Sequence, residues 1–195
     1  MRIRSSMFLV ATVVALTCSM SGTALRAQSS EPVAVATAGA AETSNASLSW
    51  NGKPPAADAR DLRFAVVSDN SGGLRPGIFR DAMGKLNLLR PPLVMCVGDL
   101  IEGYAEDDAE IQAMWDEFAA DIAGLDAPFF GVTGNHDVSN EKMTSYLERR
   151  FGPTYYSFVY GGALFLVLNS QDNPNPAVEY RSGIGESQVE FAKEA

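Results

Sequence analysis

Three short apolar runs mark the middle of the chain, and each stops on a polar residue: RFAVVSD at Asp69, PLVMCVGD at Asp99 and FFGVTGNHD at Asp137. Their length and their flanking turn residues predict short buried strands. Between them the apolar positions change period. Ile78, Phe79, Ala82, Met83 and Leu86 recur at helical spacing after Gly77, and Ile111, Met114, Trp115, Phe118, Ile122 and Leu125 mark one face of a longer helix. After the third run, Ser139 is the predicted N-cap of a helix reaching about Arg150. TYYSFVYGGALFLVLNS predicts two strands joined at Gly161-Gly162 as an antiparallel hairpin, and ESQVEFAKEA opens a further amphipathic helix.

Strand alternating with helix predicts an α/β fold, with βαβαβ units in a layered α/β/α domain and the later hairpin extending a sheet. Ligands of open parallel sheets gather outside the carboxyl ends of the strands. The three polar tips therefore converge on one crevice.

The ends of the chain follow other patterns. Residues 1–27 join a basic start (MRIRSS), an apolar core (MFLVATVVALTCSM) and a small-residue exit at Ala27, which predicts a signal peptide and a periplasmic or extracellular location. The apolar run is shorter than the roughly 20 residues a membrane span needs, so no transmembrane segment is expected after cleavage. Residues 28–60 are rich in Ala, Ser, Thr, Pro and Gly without a period and read as a flexible linker, leaving 61–195 as the domain. The final helix has no cap in the sequence, so the chain is expected to be the N-terminal part of something longer, with apolar sheet surface left uncovered.

Composition narrows the function classes. With 195 residues the chain suits one domain, and its 15 basic and 24 acidic residues give a net charge of −9. Without residues 1–27, 12 bases face 24 acids, a net of −12. No nucleic-acid surface is evident in such a chain. Cys18 would leave with the signal peptide, and Cys96 sits within an apolar run, which excludes a disulfide framework and makes Cys96 a small buried hydrophobe. Asp107, Asp108 and Glu110 suit a helix N-terminus better than a calcium loop, and Tyr155, Tyr156, Phe158 and Tyr160 suit hairpin packing better than base stacking.

The strand tips carry the candidate chemistry. Two carboxylates and an amide, Asp69, Asp99 and Asn135, form a hard-oxygen site for divalent metals, in which Asp99 can bridge two ions. His136, the single histidine of the chain, is then left to donate to a phosphoryl oxygen or to the leaving group, with Asp137 as the partner that orients its ring.

VVSDNSGG, VGDLIEG and VTGNHD resemble the first three motifs of the calcineurin-like metallophosphoesterases. The resemblance covers about residues 62–195. It implies a four-layer metallophosphoesterase-like sandwich with metals at one end, of which this chain supplies the N-terminal portion. It also implies hydrolysis of phosphoesters, in a phosphorylated small molecule or polymer, with two divalent ions drawn from Mn, Fe, Zn or Mg. By position, Asp69 becomes a ligand of the first ion, Asp99 the bridge, Asn135 a ligand of the second, and His136 the catalytic imidazole. Two departures stand out: Ser71 occupies a place where the first motif usually has histidine, and the family's later histidines have no counterpart. Purple acid phosphatases also lack the first of these and use a tyrosine three residues after the Gly-Asp aspartate. Here that place is Glu102, with Tyr104 two residues further on. These departures keep open an alternative, a non-catalytic domain that retains the scaffold as a binding module.

Overall fold

The computed structural model describes residues 49–55, 62–73, 75–172 and 183–195, together with the backbone of 14–16. Strands β2 (Ala65–Val67), β3 (Val94–Cys96) and β4 (Phe129–Phe130) form a parallel sheet with β3 in the middle, Ala65 opposite Val94 and Val94 opposite Phe129. Each apolar run is longer than its strand, and the surplus residues leave the ladder as the tips that carry Asp69, Asp99 and Asn135.

Helix α1 (Ile78–Leu89) links β2 to β3 and α2 (Asp108–Ala123) links β3 to β4. The Asp107 carboxylate caps α2 by accepting from the amides of Ala109 and Glu110, and places negative charge at the positive end of the helix dipole. Helix α3 (Glu141–Phe151) starts one residue later than predicted. Its cap is Asn140, whose side chain accepts from Met143 N at 2.8 Å. Ser139 is occupied elsewhere, accepting from Tyr104 N at 3.0 Å.

The hairpin does not extend the first sheet as expected. Strands β5 (Tyr156–Tyr160) and β6 (Ala163–Val167) are joined through Gly161 and Gly162, both at positive φ, and they form a second sheet rather than widening the first. Residues 93–96, at and just before β3, alternate between the two layers. Val94 and Cys96 pack with the helices, while Leu93 and Met95 join Phe130, Val132, Tyr156, Phe158 and Phe165 between the sheets. Phe130 stacks on Phe158 (4.2 Å between centroids) and Phe158 on Phe165 (4.8 Å), and Tyr156 Oη donates to Gly131 O at 2.8 Å across the gap. A strand buried on both faces reads as an unbroken apolar run.

Helix α4 (Glu186–Glu194) follows the hairpin. Its buried Gln188 accepts from Asn169 N (2.8 Å) and donates to Asn169 O (3.0 Å), closing a two-point clamp on the chain beyond β6. Among the described residues no helix is long and apolar enough to cross a membrane.

Part of the stretch expected to be linker, residues 49–55, packs on the domain. Trp50 is buried, its ring stacks on Phe151 at 4.6 Å, and its backbone N–H donates to Phe129 O at 2.7 Å. A Cβ on Gly131 would lie 2.3 Å from that indole, so glycine there makes room for Trp50. Residues 28–48 and 56–61 lie outside the described residues. Within the expected signal peptide, Val14–Leu16 forms β1, paired antiparallel with β6, and the rest of residues 1–27 also lies outside the described residues.

Candidate active site

The loops after β2 and β3 are laced together by their backbones. Asp69 N donates to Gly98 O at 3.2 Å, while Asn70 N and Ser71 N both donate to Asp99 O, at 2.8 and 3.1 Å. The Asn70 side chain adds a bond to Leu100 O at 3.1 Å. This puts the tip carrying Asp69 beside the tip carrying Asp99. Both aspartates lie in the left-handed region, with φ 43° and 55°, a conformation that costs a non-glycine residue about 1–2 kcal/mol and persists only where the surroundings impose it.

Glycines let the third tip close on the second. A Cβ on Gly98 would lie 2.7 Å from Gly134 N, and one on Gly134 would lie 2.1 Å from Asp99 Oδ1. One on Gly103 would lie 2.0 Å from His136 O. Side chains at these positions would occupy space that the neighbouring loop already fills.

Asp137 fastens this assembly. It is fully buried, and Oδ2 accepts from Asp99 N (2.9 Å) and Gly134 N (2.8 Å), while Oδ1 accepts from Leu100 N (2.8 Å) and Ile101 N (3.3 Å). Burial pushes its carboxyl up to about 7, opposed by the amides of Gly134, Leu100 and Ile101. These contacts correct the expectation that Asp137 orients the histidine ring. The carboxylate is spent on backbone amides, and its influence on His136 runs through the loops.

The ring has a different partner. His136 Nδ1 meets the Glu102 carbonyl oxygen at 2.6 Å, and a carbonyl can only accept, so Nδ1 carries the proton and Nε2 is left to exchange one. The His136 backbone N–H donates to Asp99 Oδ1 at 3.1 Å, which ties the imidazole-bearing residue to the candidate bridging carboxylate. Asn135 turns its amide nitrogen to Tyr104 Oη at 2.9 Å, and the Tyr104 ring stands edge-on to the imidazole, with centroids 5.0 Å apart.

Asp69, Asp99, Asn135 and His136 thus sit on three interlocked tips. Asp99 is largely buried and Asp69 is exposed. A pocket of about 390 Å³ opens beside Asp69, walled by Asn70, Ser71 and Arg75 on one side and by Phe79, Ala82 and Met83 of α1 on the other. The Glu102 carboxylate crosses to the first loop, where it accepts from Gly72 N and Gly73 N at 3.3 and 3.4 Å. Cys96 is buried with its thiol pushed up by desolvation, which suits the packing role expected of it.

Among the described residues no three His, Cys, Asp or Glu side chains gather as a metal-binding group. The available donors are two carboxylates and the Asn135 amide oxygen, and with Nδ2 turned to Tyr104 that oxygen is the atom left for a cation. This set suits one hard divalent ion such as Mg or Mn. It offers none of the imidazoles that zinc or iron would favour.

Sequence reasoning missed the contacts of Tyr104 and the carbonyl of Glu102. Gly103, between a glutamate and a tyrosine, was the available signal for a tight loop approach. Trp50, a lone tryptophan in a polar run, pointed only weakly to a cap on an edge of the fold.

The model of the family described as calcineurin-like phosphoesterase matches residues 62–189. Serine/threonine-protein phosphatase CPPED1 of Homo sapiens is 36% identical over 101 residues, covering 49% of this chain and 32% of that protein. The Rattus norvegicus protein of the same name is 35% identical over 100 residues, covering 47% of this chain and 30% of that protein. For Danio rerio the values are 35% over 100 residues, 47% and 32%. The matched region spans about a third of the length of these relatives.

Proposed function

The chain belongs to the calcineurin-like phosphoesterase family, and from that premise we propose that it carries part of a divalent-metal-dependent active site for the hydrolysis of phosphoesters. The observation that supports this reading is the backbone lacing of the three tips on which Asp69, Asp99, Asn135 and His136 stand.

Asp69, Asp99 and the Asn135 amide oxygen would hold the cation, which when bound supplies Lewis acidity toward phosphate oxygens and water. The family's two-ion arrangement needs donors beyond these three, and His136 is the only imidazole in the chain. The chain's own residues do the rest. The Glu102 carbonyl fixes the imidazole so that Nε2 presents to substrate, either to hydrogen-bond a phosphoryl oxygen or, when protonated, to deliver a proton to the leaving oxygen. Asp137 holds the loops so that neither the His136 main chain nor Asp99 can drift. The relatives' name makes phosphoserine and phosphothreonine in a protein one substrate class to test beside small phosphomonoesters and diesters. Export through residues 1–27 completes the proposal and rests on the sequence pattern alone.

The test is hydrolysis of p-nitrophenyl phosphate, bis(p-nitrophenyl) phosphate and a phosphothreonine peptide with and without Mn²⁺. Metal-dependent turnover of at least one substrate is expected, with His136→Ala lowering kcat by about 100-fold or more. Turnover unchanged by chelator, or none with any of the three, contradicts it. A second reading, a binding module that keeps the scaffold, draws on Ser71 and on the absence of a three-residue metal group among the described residues. It gains from Mn²⁺-independent binding of a phosphorylated ligand without turnover.

A further inference from the structure

Tyr104 stands apart from the other large exposed side chains. It is 62% exposed, yet its hydroxyl turns to the site instead of to water alone, accepting from Asn135 Nδ2 at 2.9 Å. Its ring edge faces His136, and its backbone sits at φ 56°, directly after Gly103 at φ 69°. Two successive left-handed residues fold the loop back over the third tip, where Gly103 presses on the His136 carbonyl. The Ser139 hydroxyl then holds the strained residue by accepting its N–H at 3.0 Å. Burial explains none of this, since an exposed aromatic gains little from packing. A non-glycine residue held in this region at a site is a reason to look for a role.

We infer that Tyr104 is a positioning residue of the site: its phenol oxygen fixes the Asn135 amide with Oδ1 toward the cation, and its ring walls one side of His136. An amide has two faces of similar shape and opposite polarity, and a metal ligand needs the oxygen. With Nδ2 donating to the Tyr104 hydroxyl, Oδ1 is the face presented. Groups that orient a ligand from behind typically affect metal affinity or activity 10–100-fold. The inference rests on the proposed role of Asn135 as a metal ligand, and its test has readouts that separate the two.

Tyr104→Phe and Tyr104→Ala are compared with wild type by NMR without metal and by Mn²⁺ titration. Because His136 is the only histidine, its imidazole gives one unambiguous set of signals. Tyr104→Phe keeps the ring, so it is expected to leave the His136 ring protons in place, shift the Asn135 side-chain amide signals and weaken Mn²⁺ binding about tenfold. Tyr104→Ala is expected to move the His136 signals as well, as the ring-current contribution disappears. Wild-type Mn²⁺ affinity in Tyr104→Phe, with Asn135 unmoved, overturns the role of Tyr104 and leaves the metal reading standing. A wild-type chain that binds no Mn²⁺ overturns the metal reading and the inference with it.

Discussion

The two ends of the first sheet's neighbourhood are held by different kinds of contact. Between the sheets, Met95, Phe130, Phe158 and Phe165 meet as apolar side chains, where shape matters but direction does not. At the strand tips, Asp99, Gly134 and Asp137 meet through directional hydrogen bonds and through glycine spaces with no room for a methyl group. The core gains from area removed from water and tolerates substitutions that keep volume. The tips depend on every donor finding its one acceptor, and an amide left unsatisfied in a buried place costs about 1–3 kcal/mol. The molecule is least tolerant of change where the candidate chemistry sits.

Five substitutions sharpen this contrast, each read from the midpoint of urea denaturation. Asp137→Ala leaves four amides without their acceptor and is expected to cost about 4 kcal/mol, the largest effect. A loss below about 1 kcal/mol would break the claim that this carboxylate fastens the tips. Its pH dependence has a definite sign. The folded pKa of about 7 lies above the ordinary aspartate value of 3.8, so the contribution of Asp137 is full below about 3.8 and lost as pH rises through about 7. The gap between wild type and Asp137→Ala should therefore narrow from pH 5 to pH 8; a widening gap would reverse the sign.

Gly103→Ala comes next, at about 3 kcal/mol, because the methyl group meets the His136 carbonyl and the residue must hold φ 69°. The same change at exposed Gly84, where a Cβ meets nothing within 4 Å, is expected to be neutral or stabilising. Phe158→Leu, inside the sheet-to-sheet core, is expected to cost only about 1 kcal/mol because the neighbours can repack. If it costs more than Gly103→Ala, the ordering of the two regions is wrong. Lys85→Ala, on an exposed pair with Asp81, sets the floor at less than about 0.5 kcal/mol.

The same division governs what the sequence reveals. Strands and helices announce themselves through period, so β2, β3, the two crossover helices and the hairpin were legible. Period says which residues are buried but not against what. Leu93-Val94-Met95-Cys96 alternates between a helical layer and a second sheet, and nothing in those letters names either partner. The partners of Trp50 were illegible for the same reason, because Gly131 and Phe151 lie far along the chain. At the site, strand order was enough to bring Asp69, Asp99, Asn135 and His136 to neighbouring tips. The role of Asp137 was not readable, because the same GNHD letters are compatible with a carboxylate facing a ring or facing amides. The cap at Asn140 instead of Ser139 shows the limit of local rules: both residues cap well, and a contact from Tyr104 accompanies the choice.

The central claim is that Asp69, Asp99 and Asn135 share a divalent cation with His136 beside it. The most direct measurement is anomalous diffraction from crystals of the chain grown with Mn²⁺. The account predicts a peak in contact with both carboxylates and with Asn135 Oδ1. A peak elsewhere, or none at saturating Mn²⁺, contradicts it.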